Sequence, residues 1–295
     1  MKRRADLMLL LVTVCWGVSF PAIKSASVHV SPALFVALRF TAASLIMLAA
    51  WPWFLRLASA ADRASGRARL GHPAAVRWGL ELGVWIALGY TTQTVGLQTT
   101  SANTSAFITA LSVILVPVFL FLGRGVRPRP VVAASVALAL LGLGMLTRPD
   151  LGGLAPGDLW TLGTAVAYAV YLIRLSDGLA RACFLPVLWW TLAVCAVLNI
   201  VLVLTVETPR LEWGTPVAVA LAVTTLLSTL VALGLQNRWQ GETTATRAAL
   251  IFSTEPVFAA LFSLAWLGER LGGVALAGAA LILAAVTLTE TAGEA

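Results

Sequence analysis

The sequence predicts an all-α integral membrane protein with ten transmembrane helices, arranged as two inverted five-helix repeats with both termini cytoplasmic. The composition is the first reason: of 295 residues, 59% are hydrophobic and only 11% are charged. The mean hydropathy of +0.91 lies far above that of a soluble domain. The second reason is a series of apolar stretches that each approach the roughly 20 residues needed to cross a bilayer. The third is a set of short motifs that recur in both halves.

The apolar stretches are separated mainly by short links. The one long link, residues 55–77, combines five arginines with small residues and predicts a mobile loop. The links at 123–129 and 148–156 are rich in Gly and Pro, as turns are. The predicted spans are 5–26, 32–54, 78–98, 103–123, 130–147, 158–176, 184–206, 215–236, 245–267 and 270–290.

The first span has one alternative interpretation. Lys2-Arg3-Arg4 followed by the apolar residues 7–20 resembles a signal peptide, with small residues at 25–27 as a cleavage site. Pro21 and Lys24 disrupt that pattern, and cleavage would leave an odd number of helices. We therefore expect the first span to be retained.

Positive charge is distributed unequally over the links. The formal charge of +7 comes from residues between apolar spans, where it sets membrane orientation and does not indicate a nucleic-acid partner. Fifteen Lys and Arg residues fall on one side and four, namely Lys24, Arg148, Arg210 and Arg270, on the other. Because positive charge favours the cytoplasmic side, this bias places both termini in the cytoplasm and predicts a multi-pass protein of the cell inner (cytoplasmic) membrane.

Motifs of the first half recur in the second. Gly96-Leu97-Gln98 matches Gly234-Leu235-Gln236, and Pro117-Val118-Phe119 matches Pro256-Val257-Phe258. We therefore predict two repeats, residues 1–150 and 151–295. A five-helix unit makes the second copy enter the membrane from the opposite side, and inverted repeats of this kind build alternating-access transporters with a site near the midplane.

Two charges lie within predicted spans at a similar depth. A carboxylate such as Glu255 at the centre of a membrane helix costs about 2.5–3.5 kcal/mol, so it needs a partner or a function. At about 1.5 Å per residue, Glu255 and Arg39 both fall near the midplane. One hypothesis is a structural ion pair between them. The other is a coupling residue, in which movement of Arg39 lets Glu255 release or take up a proton. The first copy has Val116 where the second has Glu255, so a symmetric ion site is not predicted.

Other charges near span ends have simpler interpretations. Glu81 lies four residues after Arg77, which predicts a surface pair on one helix face. Arg174 and Arg247 lie near inner helix ends, where long cationic side chains extend to the interface.

Aromatic and polar side chains at intermediate depth predict a binding cavity. Tyr90, Gln93 and Thr94 share one helical stripe that lipid would disfavour. The alternative for any single Ser or Thr is a hydrogen bond to its own or a neighbouring helix. Aromatic rings with few polar groups suit a small zwitterion or planar metabolite. The candidate substrate-binding residues are Trp16, Ser19, Arg39, Tyr90, Gln93, Thr94, Tyr168, Tyr171 and Ser228.

Several motifs in order resemble the drug/metabolite transporter superfamily, EamA-type branch. They are Trp16-Gly17-Val18-Ser19-Phe20, Leu38-Arg39-Phe40, Gly96-Leu97-Gln98, Arg247-Ala248-Ala249-Leu250 and Glu255-Pro256-Val257-Phe258, together with Gly268-Glu269-Arg270-Leu271. Each motif is short, but jointly they cover the whole chain. The resemblance implies a ten-helix carrier whose relatives export amino acids, nucleobase-like metabolites or drugs.

We therefore expect a secondary active transporter that exports small metabolites, with amino acids favoured and drugs or nucleobase-like metabolites as the alternative. An enzyme is disfavoured because no nucleophile, base and orienting group occur together. A channel is disfavoured because no filter sequence or acidic ring is visible. We expect no cofactor, metal or nucleic acid, a small-molecule substrate, and membrane lipid around a monomer or weak homodimer. Small residues in spans 5 and 10 permit close packing within the bundle or in a dimer.

Overall fold

The computed structural model describes residues 2–147, 155–267 and 272–291, and these residues are mostly helical. The described part contains no β-strand beyond one isolated bridge between Val30 and Leu211. The helices are α1 Lys2–Gly17, α2 Ser19–Ala26, α3 Pro32–Ala49, α4 Trp51–Phe54, α5 Ala60–Ala64, α6 Pro73–Thr99, α7 Ala102–Ala110, α8 Ser112–Arg124, α9 Pro130–Thr147, α10 Pro156–Leu179, α11 Phe184–Thr205, α12 Thr215–Val223, α13 Ala232–Trp239, α14 Ala245–Phe252, α15 Glu255–Leu267 and α16 Gly273–Thr291.

Helix starts follow local sequence signals. Proline occupies the first turn of α3, α6 and α10, where its missing N–H would have no helical partner in any case. The hydroxyls of Ser101 and Thr244 accept backbone N–H bonds at the starts of α7 and α14. These positions agree with the predicted span starts to within a few residues.

Seven helical segments of the described chain are long and apolar enough to cross a membrane. Two shorter apolar helices, Pro130–Met145 and Gly273–Leu288, accompany them. The 27-residue α6 is not among the seven. Its polar residues lower its hydropathy, although its length suffices. The fold is thus helical and of membrane type, and the count of ten spans stays a prediction. The seven are Arg4–Ala26, Pro32–Ala49, Thr104–Arg124, Pro156–Leu179, Phe184–Thr205, Thr215–Glu242 and Ala245–Phe262.

Four of the predicted spans are broken, and a fifth is distorted. The breaks lie at Val18, at Ala50, at Leu111 and at Ser253–Thr254. A π-helical segment, Thr224–Val231, separates α12 from α13. Within the predicted span 245–267, α14 ends at Phe252, and Glu255 and Pro256 lie in the first turn of α15.

Helices of the two sequence halves pack against each other in reciprocal pairs. Helix α10 packs on α6, α7 and α8, whereas α1 packs on α13, α14 and α15. Helices α3 and α11 pack on each other, as do α9 and α16. A Cβ added to Gly142 of α9 would lie 2.7 Å from the carbonyl oxygen of Gly278. Small residues therefore serve close packing within the bundle.

Contacts between links define the two ends of the bundle. At one end, the carboxylate of Glu207 accepts bonds from the Ser31 hydroxyl at 2.7 Å and from the backbone N–H of Ala33 at 2.8 Å. This carboxylate caps α3, whose N-terminus favours negative charge. At the other end, the Arg67 guanidinium donates to the carbonyl of Arg181 at 3.1 Å.

The ion pairs differ from the simple interpretations of Arg174, Arg247 and Glu81. Arg247 is buried and forms a bidentate pair with Asp6 of α1, at 3.1 and 2.6 Å. Arg174 pairs with Glu81 on α6, so Arg77 is not the partner of Glu81. The prediction that Arg247 extends to the interface and the predicted Arg77–Glu81 pair were wrong, whereas the Arg174 side chain stays 33% exposed while it pairs with Glu81. Helix contacts across the bundle outweigh the local spacing that suggested them.

Candidate functional site

A partly open cavity lies between helices of both sequence halves. Its walls come from the broken helices and their neighbours, namely α1, α2, α6, α7, α8, α10, α13, α14 and α15. The lining residues are Trp16, Ser19, Ile86, Tyr90, Gln93, Thr109, Ala110, Ser112, Tyr168, Tyr171, Leu172, Gln236, Phe252 and Glu255.

Aromatic rings form much of this lining. Tyr90 packs edge-on against Tyr168, with ring centroids 5.5 Å apart. Trp16 packs against Phe252 at 5.1 Å and donates its indole N–H to the carbonyl of Ser228 at 3.1 Å. Tyr171 is buried, and its hydroxyl accepts a bond from the Asn237 amide at 3.4 Å. The rings are therefore held by contacts with one another and by hydrogen bonds with Ser228 and Asn237, which lie outside the lining.

Glu255 lines the cavity at the first position of α15. The preceding break is held by hydroxyl bonds: Ser253 and Thr254 donate to carbonyls of α14, and Thr254 contacts Thr13 of α1 at 3.1 Å. Within the described chain, the Glu255 carboxylate has no hydrogen bond and no ion pair. The break thus presents an unpartnered acid to the cavity.

Arg39 is not the partner of Glu255 in this structure. It is 1% exposed, its Nε donates to the Thr229 hydroxyl at 2.6 Å, and its guanidinium carbon lies 4.5 Å from the centroid of the Tyr90 ring. No contact within 4.0 Å joins Arg39 to Glu255 among the residues that the structure describes. The predicted direct ion pair is therefore absent here, and Tyr90 lies between Arg39 and the cavity.

The other predicted site residues divide into two groups. Ser19 and Gln93 line the cavity, where Gln93 donates to the Thr109 hydroxyl at 3.2 Å. Thr94 and Ser228 do not line it. The Thr94 hydroxyl donates to the carbonyl of Tyr90 at 2.7 Å, and the Ser228 hydroxyl to that of Cys15 at 2.8 Å. These two follow the alternative interpretation, in which hydroxyls bond to the backbone.

Sequence analysis missed several lining residues, of which Gln236 is the most polar. Gln236 belongs to the repeated Gly-Leu-Gln motif, so the repeat marked it without assigning it a role. The π-helical segment changes the phase of the helix relative to a regular α-helix, so that Gln236 beyond it lines the cavity. The other missed polar residues, Thr109 and Ser112, flank the break at Leu111.

Apolar helices that enclose an aromatic and polar cavity define this chain as a multi-pass membrane protein with an internal pocket. The model of the EamA-like transporter family matches it twice, over residues 3–148 and 155–291. The chain therefore belongs to the EamA-like transporter family, and through it to the drug/metabolite transporter superfamily.

Named relatives agree with this assignment. The chain is 35% identical over 293 residues to an uncharacterized transporter of Archaeoglobus fulgidus, covering 97% of this chain and 85% of the relative. It is 25% identical to a probable amino-acid metabolite efflux pump of Salmonella typhimurium, covering 96% and 94%. A solved structure at 20% identity shares the fold with a TM-score of 0.77, over 99% of this chain and 98% of the other.

Proposed function

We propose that this protein is a secondary active transporter that exports small metabolites, with amino acids favoured, across the cytoplasmic (inner) membrane by alternating access. The observation that carries the proposal is the aromatic and polar cavity between helices of both sequence halves. A site at the interface of two repeats is where inverted-repeat transporters bind substrate.

The reciprocal packing supports two inverted halves, residues 1–150 and 151–295. In the first half, α6 packs on α10, the first helix of the second half; in the second half, α13 packs on α1, the first helix of the first half. The next helices along the chain show the same exchange, because α7 and α8 also pack on α10, whereas α14 and α15 also pack on α1. A two-fold relation between the halves produces such paired contacts.

Amino acids are favoured by the cavity and by one relative. Its aromatic walls accommodate an apolar side chain, while Gln93, Gln236 and Glu255 offer polar contacts. The Salmonella relative is named a probable amino-acid metabolite efflux pump. Nucleobase-like metabolites and drugs remain the alternative substrate class, since aromatic walls also accept planar rings.

Counterflow in proteoliposomes tests this function. Vesicles containing purified protein and a high internal concentration of one unlabelled amino acid should take up the labelled compound transiently above equilibrium. A panel of amino acids, nucleobases and cationic drugs as internal compounds identifies the substrate class. A channel or an enzyme gives no such overshoot, so uptake that never saturates and shows no counterflow contradicts the proposal.

Glu255 is the residue that we assign to proton coupling. A lone carboxylate at a cavity can exchange a proton with water during an opening step. At saturating substrate concentrations, the Glu255→Gln variant should retain counterflow but lose uptake driven by a pH gradient. The matched control is Glu212→Gln, because Glu212 is exposed in a link and pairs with His29. Unchanged gradient-driven uptake in Glu255→Gln removes this role.

A further inference from the structure

Three acceptor groups without a hydrogen-bond partner line the cavity. The first is the Glu255 carboxylate, to which the described residues donate no bond. The second is the buried carbonyl oxygen of the Gln236 side chain, and the third is the buried hydroxyl of Tyr168. Buried polar atoms without partners are uncommon, and the two buried ones here belong to side chains that line the cavity.

The orientation of the Gln236 amide follows from a chain of hydrogen bonds. The Gln240 amide nitrogen donates to the carbonyl of Leu172 at 2.8 Å, which fixes the Gln240 side-chain oxygen as an acceptor. The Gln236 amide nitrogen donates to that oxygen at 2.9 Å. The oxygen of Gln236 is therefore the atom left free, and it needs a donor.

The lining has no cation to balance Glu255. No lysine, arginine or histidine lines the cavity in the part of the chain that the structure describes. Arg39 lies behind Tyr90, and its Nη2 atom is buried without a partner. A carboxylate, a free amide oxygen and aromatic faces together favour a ligand that carries positive charge and donates hydrogen bonds.

We propose that the cavity recognises its substrate through a protonated amine, which binds Glu255, Gln236 and Tyr168, and that a carboxyl group on the substrate is not required. An alkylammonium group has three N–H donors and no acceptor, which complements three free acceptors. This inference rests on the proposed function, because it specifies which end of an amino acid the same site binds. Compounds that keep the amine and lose the carboxylate should bind, and compounds that lose the amine should not.

Three probes of one shape separate the two ends: phenylalanine, phenylethylamine and phenylpropionate. Calorimetry on purified full-length protein in detergent measures their binding without requiring transport. We expect phenylalanine and phenylethylamine to bind with affinities within about tenfold of each other, and phenylpropionate at least about tenfold more weakly, since it lacks the charged hydrogen bonds of the amine. If phenylpropionate binds as tightly as phenylethylamine, or if phenylethylamine does not bind the folded protein, the proposal is overturned.

Substitutions of Glu255 and Gln236 test whether these residues contact the amine. Glu255→Gln should weaken phenylethylamine binding by about tenfold or more and Gln236→Leu by several-fold, whereas Glu255→Asp should retain part of the affinity because it keeps the charge. Gln98→Leu is the matched control, since Gln98 is exposed near the end of α6. Melting temperatures establish that each variant is folded. Unchanged amine binding in both Glu255→Gln and Gln236→Leu overturns the proposal.

Failure of the proposed transport function can be distinguished from failure of the amine site. In that case no amino acid gives counterflow in proteoliposomes, whatever the calorimetry shows. Counterflow of an amino acid together with tight binding of phenylpropionate would instead retain the transporter and reject the amine site.

Discussion

Arg39 shows how a membrane bundle can keep a charge away from its cavity. Its guanidinium is buried against the rings of Tyr90 and Phe40, at 4.5 and 5.3 Å. Aromatic faces stabilise a cation electrostatically without a counter-ion, more strongly where water is excluded. The bond from Nε to the Thr229 hydroxyl fixes its orientation. Arg39 therefore supports the cavity wall through Tyr90, although it does not line the cavity.

The first prediction concerns that bond. Thr229→Val keeps the side-chain shape but removes the acceptor, which leaves a buried guanidinium nitrogen unpaired, at a cost of about 1–3 kcal/mol. We expect a lower melting temperature in detergent. Thr205→Val is the matched control, because the Thr205 hydroxyl bonds only to its own helix at an exposed position. Equal melting of the two variants would show that the Thr229 bond does not stabilise Arg39.

The second prediction concerns the Tyr168 ring. A Cβ at Gly89 of α6 would lie 2.1 Å from a carbon of that ring, so the ring must move. We expect Gly89→Ala to raise the half-saturation concentration for counterflow, because Tyr168 is displaced within the cavity. Gly144→Ala on α9 meets no atom within 4 Å and should behave like the parent protein. If the two variants transport alike, the position of Tyr168 does not determine affinity.

At this scale, sequence reasoning from depth and side-chain chemistry singled out Glu255 and nine substrate-binding candidates, of which six line the cavity. Of these, Trp16, Ser19, Tyr90, Gln93, Tyr168, Tyr171 and Glu255 line the cavity, whereas Arg39, Thr94 and Ser228 do not. Depth alone does not specify which way a side chain points. That direction depends on neighbouring helices, and so Arg39 contacts Thr229 and Tyr90 here, whereas Glu255 lines the cavity.

At the scale of elements, the departures from regular helices place the site. Glu255 lies directly after the break at Ser253–Thr254, Ser112 directly after Leu111, and Ser19 directly after Val18. Broken helices are typical of transporter sites, where freed backbone groups face a cavity. Hydropathy shows where a helix crosses the membrane, but a break needs only two or three residues. The helical runs were therefore predictable, and the break positions and the π-helical segment were not.

The third prediction concerns the ion pair that joins α1 to α14. Asp6 and Arg247 form a buried bidentate pair, with exposed fractions of 5% and 8%. Removing one partner leaves a buried charge, which destabilises a protein by about 3–5 kcal/mol. We expect Asp6→Asn to lower the melting temperature strongly, and the double variant Asp6→Asn with Arg247→Gln to lose less than the sum of the single variants.

The control for the Asp6–Arg247 ion pair is Arg238→Gln. It removes a more exposed salt bridge, between Arg238 and Glu242, which lie four residues apart. Such pairs contribute only about 0.3–0.5 kcal/mol, so a shift close to zero is expected. If Asp6→Asn melts like Arg238→Gln, the buried pair does not hold α1 to α14. The pair joins the first and second sequence halves, so its loss should also change the rate of transport relative to binding.

At the scale of the whole molecule, contacts between distant links constrain the topology. The first link and the link after α11 lie together, since the Ser31 N–H donates to the carbonyl of Arg210 at 3.0 Å. The link after α3 lies beside the link after α10 through Arg67 and Arg181. These pairings agree with ten crossings, in which the first pair of links is on one side and the second pair on the other. The excess of positive charge predicts that the second pair faces the cytoplasm.

The fourth prediction tests this topology with single cysteines. The native Cys15, Cys183 and Cys195 are buried, so they can be replaced to give a background without accessible thiols. Arg67→Cys and Trp213→Cys then place one thiol in each link, at side chains with exposed fractions of 43% and 68%. In right-side-out vesicles, an impermeant maleimide should label the thiol introduced at position 213 and should label the one at position 67 only after permeabilisation. Both thiols should react in detergent, which controls for accessibility. Labelling of both from the same side would contradict the odd number of crossings between them, and with it the inverted arrangement of the halves.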